Sequence, residues 1–129
     1  MKNTTQDPRI TEALSRGGVI DITTVGRKTR KARRIEIVFH NIDGEIYISG
    51  MPGFPRAWLA NLKANPSFTF HLKRQVKADL PAKARIITEE AERRRLLAPI
   101  ARSWNRKDLD KMVLTSPLIE VTFEGAQAN

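Results

Sequence analysis

The chain has 129 residues, enough for one compact domain that buries a core without disulfides. It has no cysteine, which excludes thiol catalysis, disulfide frameworks and cysteine-ligated metal centres, and its two histidines, His40 and His71, are too few for a histidine-rich metal site. The formal net charge of +9 at pH 7 calls for an anionic partner without saying whether it is a nucleic acid, an anionic lipid or a phosphorylated cofactor.

The polar stretch Met1 to Pro8 lacks the apolar segment of a signal peptide, and no apolar run is long enough to span a bilayer. The expectation is a soluble cytoplasmic protein with no stable membrane insertion. Pro8 to Arg16 reads as a short helix with Ile10, Ala13 and Leu14 on one face, stopped by Gly17-Gly18. Val19 to Thr24 is a β-branched run that reads as a strand. Val25 to Arg34 reads as a basic loop and Ile35 to His40 as a second strand. Asn41-Ile42-Asp43-Gly44 is a turn signal, because Asp and Gly tolerate positive φ, and Glu45 to Ser49 returns as a third strand.

Gly50 to Gly53 breaks the pattern, and Pro55 opens a helix whose apolar face is Trp58, Leu59 and Leu62 and which ends at Asn65-Pro66. Phe68 to Leu72 is a fourth strand, and Val76 to Ile87 is extended with an expected interruption near Pro81. Thr88 is the expected cap of a third helix, with Glu89–Arg93 and Glu90–Arg94 as supporting pairs. Leu97, Ile100, Ala101 and Trp104 continue its stripe, and Pro99 is expected to kink or split it. Lys107 to Leu114 reads as a further short helix, and Leu118 to Phe123 as the closing strand. Many strands and few helices predict a mainly β fold, a single antiparallel barrel with helices across its openings. Residues 1–18 are read as a helical extension and 19–125 as the barrel domain.

Three segments could carry chemistry. Between the first two strands, Gly26 to Arg34 holds six basic residues, a glycine and a hydroxyl. Such a turn suits a phosphate, because backbone N–H groups and Thr29 donate hydrogen bonds and arginine grips two oxygens at once. On composition a solvated charge run or a nucleic-acid patch fits as well. Ser49 to Arg56 lets a backbone approach a ligand closely and leads into a helix N-terminus, although an ordinary strand–helix connection has the same look. On the following helix, Asn61 shares the side of Trp58 and Leu62 and would be a buried polar group in need of a partner.

Thr23-Thr24-Val25-Gly26-Arg27-Lys28-Thr29, then Arg33-Arg34-Ile35-Glu36-Ile37, then Gly44 to Ser49, then Trp58 to Pro66, taken in order, resemble the deazaflavin (coenzyme F420)-dependent nitroreductase family. The resemblance covers roughly residues 19 to 123. It implies a split β-barrel like that of the pyridoxamine-phosphate-oxidase-like and FMN-binding split-barrel flavoproteins, and an oxidoreductase that moves a hydride between coenzyme F420 and a small hydrophobic, nitro or enone acceptor. By position it assigns Arg27, Lys28, Thr29 and Arg33 to the cofactor phosphate and acidic tail, and Ile35, Ile37, Ser49, Gly50, Met51 and Pro52 to the ring system. Asn61 would lie near the cofactor, and Arg56 would extend the cationic track with Arg30 and Lys31. It also implies a homodimer.

The chain departs from the family pattern where the usual loop glycine is Arg30 and the usual proline is Ala32. Position 38 is Val38, where some members carry an aromatic residue nearby, and alternation does not fix which way Tyr47 points. No catalytic side chain and no metal ligand is assigned, since a flavin-type cofactor carries the redox chemistry itself. The competing expectations are FMN on the same fold, a ligand-binding module without turnover, and a nucleic-acid-binding barrel. The last is weakened because Phe68 and Phe70 share one strand face and read as core.

Overall fold

A computed structural model describes residues 7–53 and 55–124. The start of the polar N-terminal stretch, Phe54 of the small-residue segment and the last residue of the expected barrel domain lie outside the described residues. The elements in chain order are α1 (Pro8–Arg16), β1 (Gly18–Val25), β2 (Ala32–Ile42), β3 (Glu45–Ser49), α2 (Ala57–Ala64), β4 (Ser67–Leu72), β5 (Ala78–Ile86), α3 (Glu90–Ser103), α4 (Leu109–Thr115) and β6 (Leu118–Phe123).

The strands form a closed antiparallel barrel in the order β1-β2-β3-β6-β5-β4, with β4 returning to β1. The period-2 alternation decides which residues enter it. Ile20 and Ile22 of β1, Phe70 and Leu72 of β4, Leu80 and Ala82 of β5, and Ile119 and Val121 of β6 are buried together inside. Phe70 meets Phe39 and Phe123 edge-on, with ring centroids 5.2 and 5.1 Å away, a favoured aromatic geometry. Asp43 and Gly44, both at positive φ, close the β2–β3 hairpin as a two-residue turn between the paired Ile42 and Glu45.

The helices divide by position. α1 packs Ile10 and Ala13 at one end of the barrel, and the amide of Asn41 donates to the carbonyl of Leu14 there. α2 sends Trp58 and Leu62 into the other end. α3 and α4 do not cross an opening: they cover the outer wall of β3 and β6, where Leu96, Leu97, Ile100, Met112 and Val113 bury Tyr47 and Leu118. Tyr47 therefore points away from the barrel interior, and burial pushes its phenol up from the ordinary value.

Several expected boundaries are corrected. β2 begins at Ala32, so Arg33 and Arg34 are strand residues paired with Thr24 and Thr23, and the basic loop shrinks to the residues between Val25 and Ala32. β5 runs through Pro81 without a break. Pro81 stands where pairing with β6 has ended, its carbonyl accepting from Glu124, so the missing N–H breaks no rung of that ladder. The cap of α3 is Glu89, whose carboxylate accepts from the backbone N–H groups of Ala91 and Glu92, and not Thr88.

Helix α3 also continues past Pro99 to Ser103. An interior proline costs about 3 kcal/mol, and the buried face from Leu96 to Ala101 offsets it through packing. Asn105, at φ 54°, ends the helix: its N–H reaches Arg102 and that of Arg106 reaches Ala101, the bonding of a Schellman cap with Asn in place of Gly. No helix among the described residues is long and apolar enough to cross a membrane.

Candidate cofactor site

The barrel end plugged by α2 carries a groove of about 430 Å³ between that helix and the β1–β2 loop. Its lining includes Arg27, Lys28, Thr29, Arg33, Ile35, Arg56 and Asn61 from the sequence-expected set. Thr24, Gly26, Ala57 and Trp58 complete it.

The loop is held from within and from below. The N–H of Gly26 donates to the carbonyl of Lys31 at 2.8 Å, and that of Arg30 to the carbonyl of Gly26 at 2.8 Å. The N–H of Lys31 donates to Thr29 Oγ1 at 3.2 Å. Beneath the loop, Asn61 is 4% exposed and uses both ends of its amide. Its Oδ1 accepts from the N–H of Arg27 at 3.1 Å, and its Nδ2 donates to Thr24 Oγ1 at 3.1 Å. Asn61 thus ties α2, the loop and the end of β1 to one another. Thr24 was missed in the sequence, although the inward series Ile20, Ile22, Thr24 carries the signal: a polar residue on a core-facing position needs a buried partner.

Four of the loop's N–H groups, those of Gly26, Arg27, Arg30 and Lys31, are thereby engaged, whereas those of Lys28 and Thr29 have no partner among the described residues. The Thr29 hydroxyl, though it accepts from Lys31, keeps its own proton to donate. Side chains of Arg27, Lys28 and Arg33 are exposed at the groove and form no ion pair among the described residues. Two adjacent free N–H groups, a hydroxyl and three cations form a donor set that fits a phosphate. Gly26 makes the turn possible, since a Cβ there would lie 2.7 Å from Thr29 Oγ1.

Arg56 occupies the opposite flank, just before α2. An added Cβ at Gly50 would fall 2.9 Å from its Nη2 and 3.0 Å from both Cζ and Nε, so the guanidinium lies flat against the Gly50 backbone. Burial pushes its pKa down from the ordinary arginine value.

The remaining expected residues do not line this groove. Ile37 faces the barrel core. The hydroxyl of Ser49 is buried and donates to the carbonyl of Pro117 at 2.6 Å. Gly50 lies beneath Arg56, and Pro52 is buried. Met51 is 44% exposed and accepts at its Sδ from Arg106 Nη1 at 2.9 Å. Arg30 and Lys31, expected to prolong the cationic track, are also absent from the lining. Arg30 sits at φ 60°, the left-handed region, where the family pattern has glycine.

Comparison with known proteins places this geometry in a family. Residues 2–122 match the model of the F420H(2)-dependent quinone reductase family. Among solved structures, a conserved hypothetical protein from Mycobacterium tuberculosis superposes with a TM-score of 0.72 at 15% identity, covering 92% of this chain and 81% of that one. A candidate 5-nitroimidazole antibiotic resistance protein from Bacteroides thetaiotaomicron superposes with a TM-score of 0.67 at 13% identity, covering 92% and 80%. A structure described as an F420-H2 dependent reductase does so with a TM-score of 0.59 at 21% identity, covering 81% and 94%. No curated protein sequence matches the chain. The barrel is thus of the split-barrel type shared with pyridoxamine-phosphate-oxidase-like proteins. The chain belongs to the F420H(2)-dependent quinone reductase family and is an F420-dependent oxidoreductase.

Proposed function

We propose that the groove between the β1–β2 loop and α2 holds coenzyme F420, and that the protein uses it to reduce a small hydrophobic acceptor of the quinone, enone or nitro type. The observation that carries this reading is the pair of N–H groups on Lys28 and Thr29 that have no partner among the described residues, set among Arg27, Lys28 and Arg33. In this reading those groups hold the phosphate. Ile35 and Trp58 offer apolar surface to the ring system, and Asn61 acts through the loop rather than by touching the ligand. When bound, reduced F420 supplies a hydride, and the chain's own residues bind, orient and exclude water.

We also propose that Ile37, Ser49, Gly50, Met51 and Pro52 contribute through their backbone and by shaping the groove's far wall, and that the working unit is a homodimer. Light scattering on the purified protein tests the second point: a monomer mass at micromolar concentration rejects it.

The deciding experiment titrates purified protein separately with F420 and with FMN, following cofactor fluorescence, and then adds a quinone, an enone and a nitroaromatic to the reduced complex. Saturable F420 binding followed by reoxidation with one acceptor class supports the reading. Binding of FMN alone turns the site over to FMN, and F420 binding without reoxidation by any acceptor leaves a ligand-binding module.

A further inference from the structure

Beside the cofactor groove lies a second cavity of about 290 Å³, lined by Gly53, Pro55, Arg56, Leu59, Thr115 and Pro117. Among the described residues, Arg56 is the one common to the linings of both, and it is the only charged residue around the smaller one. We propose that Arg56 is the acceptor-facing residue of the reaction: its guanidinium, lying against Gly50, stabilises the negative charge that reduction places on an oxygen of an acceptor bound in this second cavity. The inference rests on the reading of the groove given above and adds to it the place and the polar contact of the acceptor.

Three observations converge. Phosphate binding has its own donors on the opposite flank, in Arg27, Lys28, Thr29 and Arg33, so Arg56 is not needed there. The walls contributed by Pro55, Leu59 and Pro117 are apolar, and the volume suits a molecule of one or two rings. Gly50 leaves room for Arg56 to turn toward both cavities, because a Cβ there would fall 2.9 to 3.0 Å from the guanidinium. A cation partly withdrawn from water acts on a nearby developing charge more strongly than an exposed one.

The chemistry balances with the established reductant. Reduced F420 would supply a hydride to an electrophilic carbon of the acceptor and leave oxidised, the acceptor's π electrons would move to the conjugated oxygen, and water would supply the proton that completes the two-electron reduction. Arg56 gives no proton, since a guanidinium does not ionise in this pH range. Its contribution is electrostatic, strongest when the oxygen carries its charge.

The test uses F420-loaded protein and a probe that imitates the anionic product. 4-Nitrophenol is titrated against the native protein and its ionisation followed by absorbance, which needs no turnover. The native protein is expected to lower the apparent pKa of the bound phenol by about one unit, Arg56→Gln to abolish the shift, and Arg56→Lys to restore part of it. In turnover, Arg56→Gln is expected to lower kcat by roughly 10- to 100-fold while F420 affinity changes less than about threefold. Gly50→Ala, which keeps the charge but displaces it, is expected to fall in between.

An equal phenol shift in Arg56→Gln, or no binding of the phenol to the native loaded protein, overturns the proposal. So does a loss of F420 affinity of about tenfold or more with kcat unchanged, which would return Arg56 to the phosphate set. If the native protein does not bind F420 at all, it is the reading of the groove that fails. If it binds F420 and Arg56→Gln behaves as native, only the role of Arg56 falls.

Discussion

The molecule holds two arginine-rich regions that look alike as strings of letters and differ in what their donors do. On the α3–α4 side the named cations are tied down. Arg85 is pinned between Glu92 and Glu120, which raises its pKa, and Arg94 pairs with Glu90 and Asp110. Arg106 pairs with Asp108, and Arg93 donates to the carbonyls of Ile87, Met112, Val113 and Ser116. In the β1–β2 loop, Arg27, Lys28 and Arg33 meet no carboxylate among the described residues, and two backbone N–H groups beside them are unpartnered. The difference teaches that charge density does not mark a binding site. Donors left without internal acceptors on a rigidly held backbone do.

The sharpest way to break this comparison is to remove a donor from each region. Arg93→Ala should destabilise the fold by about 3–5 kcal/mol, because the carbonyls at the end of α4 lose charge-assisted partners in a half-buried place. In a domain of this size that lowers the melting temperature by roughly 10–20 °C. Arg93→Lys should recover little, since a single ammonium cannot span four acceptors. A melting point within about 2 °C of native would mean the clamp is not structural.

Lys28→Ala and Arg33→Ala should do the reverse. Each is expected to weaken F420 binding by about 1.5–3 kcal/mol, roughly ten- to a hundredfold, with no change in melting temperature. Isothermal titration beside a thermal melt checks both halves. A stability loss like that of Arg93→Ala, with affinity intact, would erase the distinction between the two regions.

Most of this division was not legible in the sequence. The alternation in Val19 to Thr24, Phe68 to Leu72 and Leu118 to Phe123 pointed to strands, and the Trp58 to Pro66 segment pointed to a helix against them, because those patterns are local and their apolar faces are large. The motifs also carried the cofactor class. What failed depended on contacts distant in sequence. Arg33 and Arg34 read as loop because they are polar, yet they sit on β2, where Arg34 meets Asp21 across the barrel's outer face. The end of Pro81's pairing and the packing that carries α3 past Pro99 are likewise set by other elements. Arg93, expected to pair with Glu89, turns to carbonyls instead, and Glu89 turns to cap the helix. Of the residues expected to touch the ring system, Ser49 and Met51 are engaged instead by Pro117 and Arg106, partners more than fifty positions away.

A smaller test concerns the loop's own geometry. Arg30 holds φ 60°, a conformation that costs a non-glycine residue on the order of 1 kcal/mol. Arg30→Gly removes that strain but loosens the unfolded chain, so the net gain should be about 0.5 kcal/mol, seen as a small rise in melting temperature. Since Arg30 does not line the groove, F420 affinity should stay within about threefold of native. A tenfold loss would show that its side chain reaches the ligand after all, and would revive the longer cationic track.

The smallest expected effect probes the α3–α4 side for a polar atom that is not tied down. His40, on the outer face of β2, lies edge-on to Trp104 at 5.3 Å between ring centroids, and its Nε2 is buried without a partner among the described residues. Burial lowers its pKa, so the folded protein keeps the ring neutral at a pH where the unfolded chain already binds a proton. The sign follows from that difference. Above about pH 6.5 both states are neutral and the histidine adds no pH dependence. As pH falls through about 6.5 the unfolded chain takes up the proton first and stability drops, until the folded-state pKa is passed and the slope ends. Carboxylates with depressed values, such as those of Asp21, Glu92 and Asp108, lose their contribution only lower, near and below about pH 4, so the two windows separate. His40→Phe keeps the aromatic edge against Trp104 and removes the titration. Thermal melts from pH 7.5 to pH 5 should show the native melting temperature falling by a few degrees more than that of His40→Phe. Parallel curves would mean that the imidazole finds an acceptor or water in both protonation states.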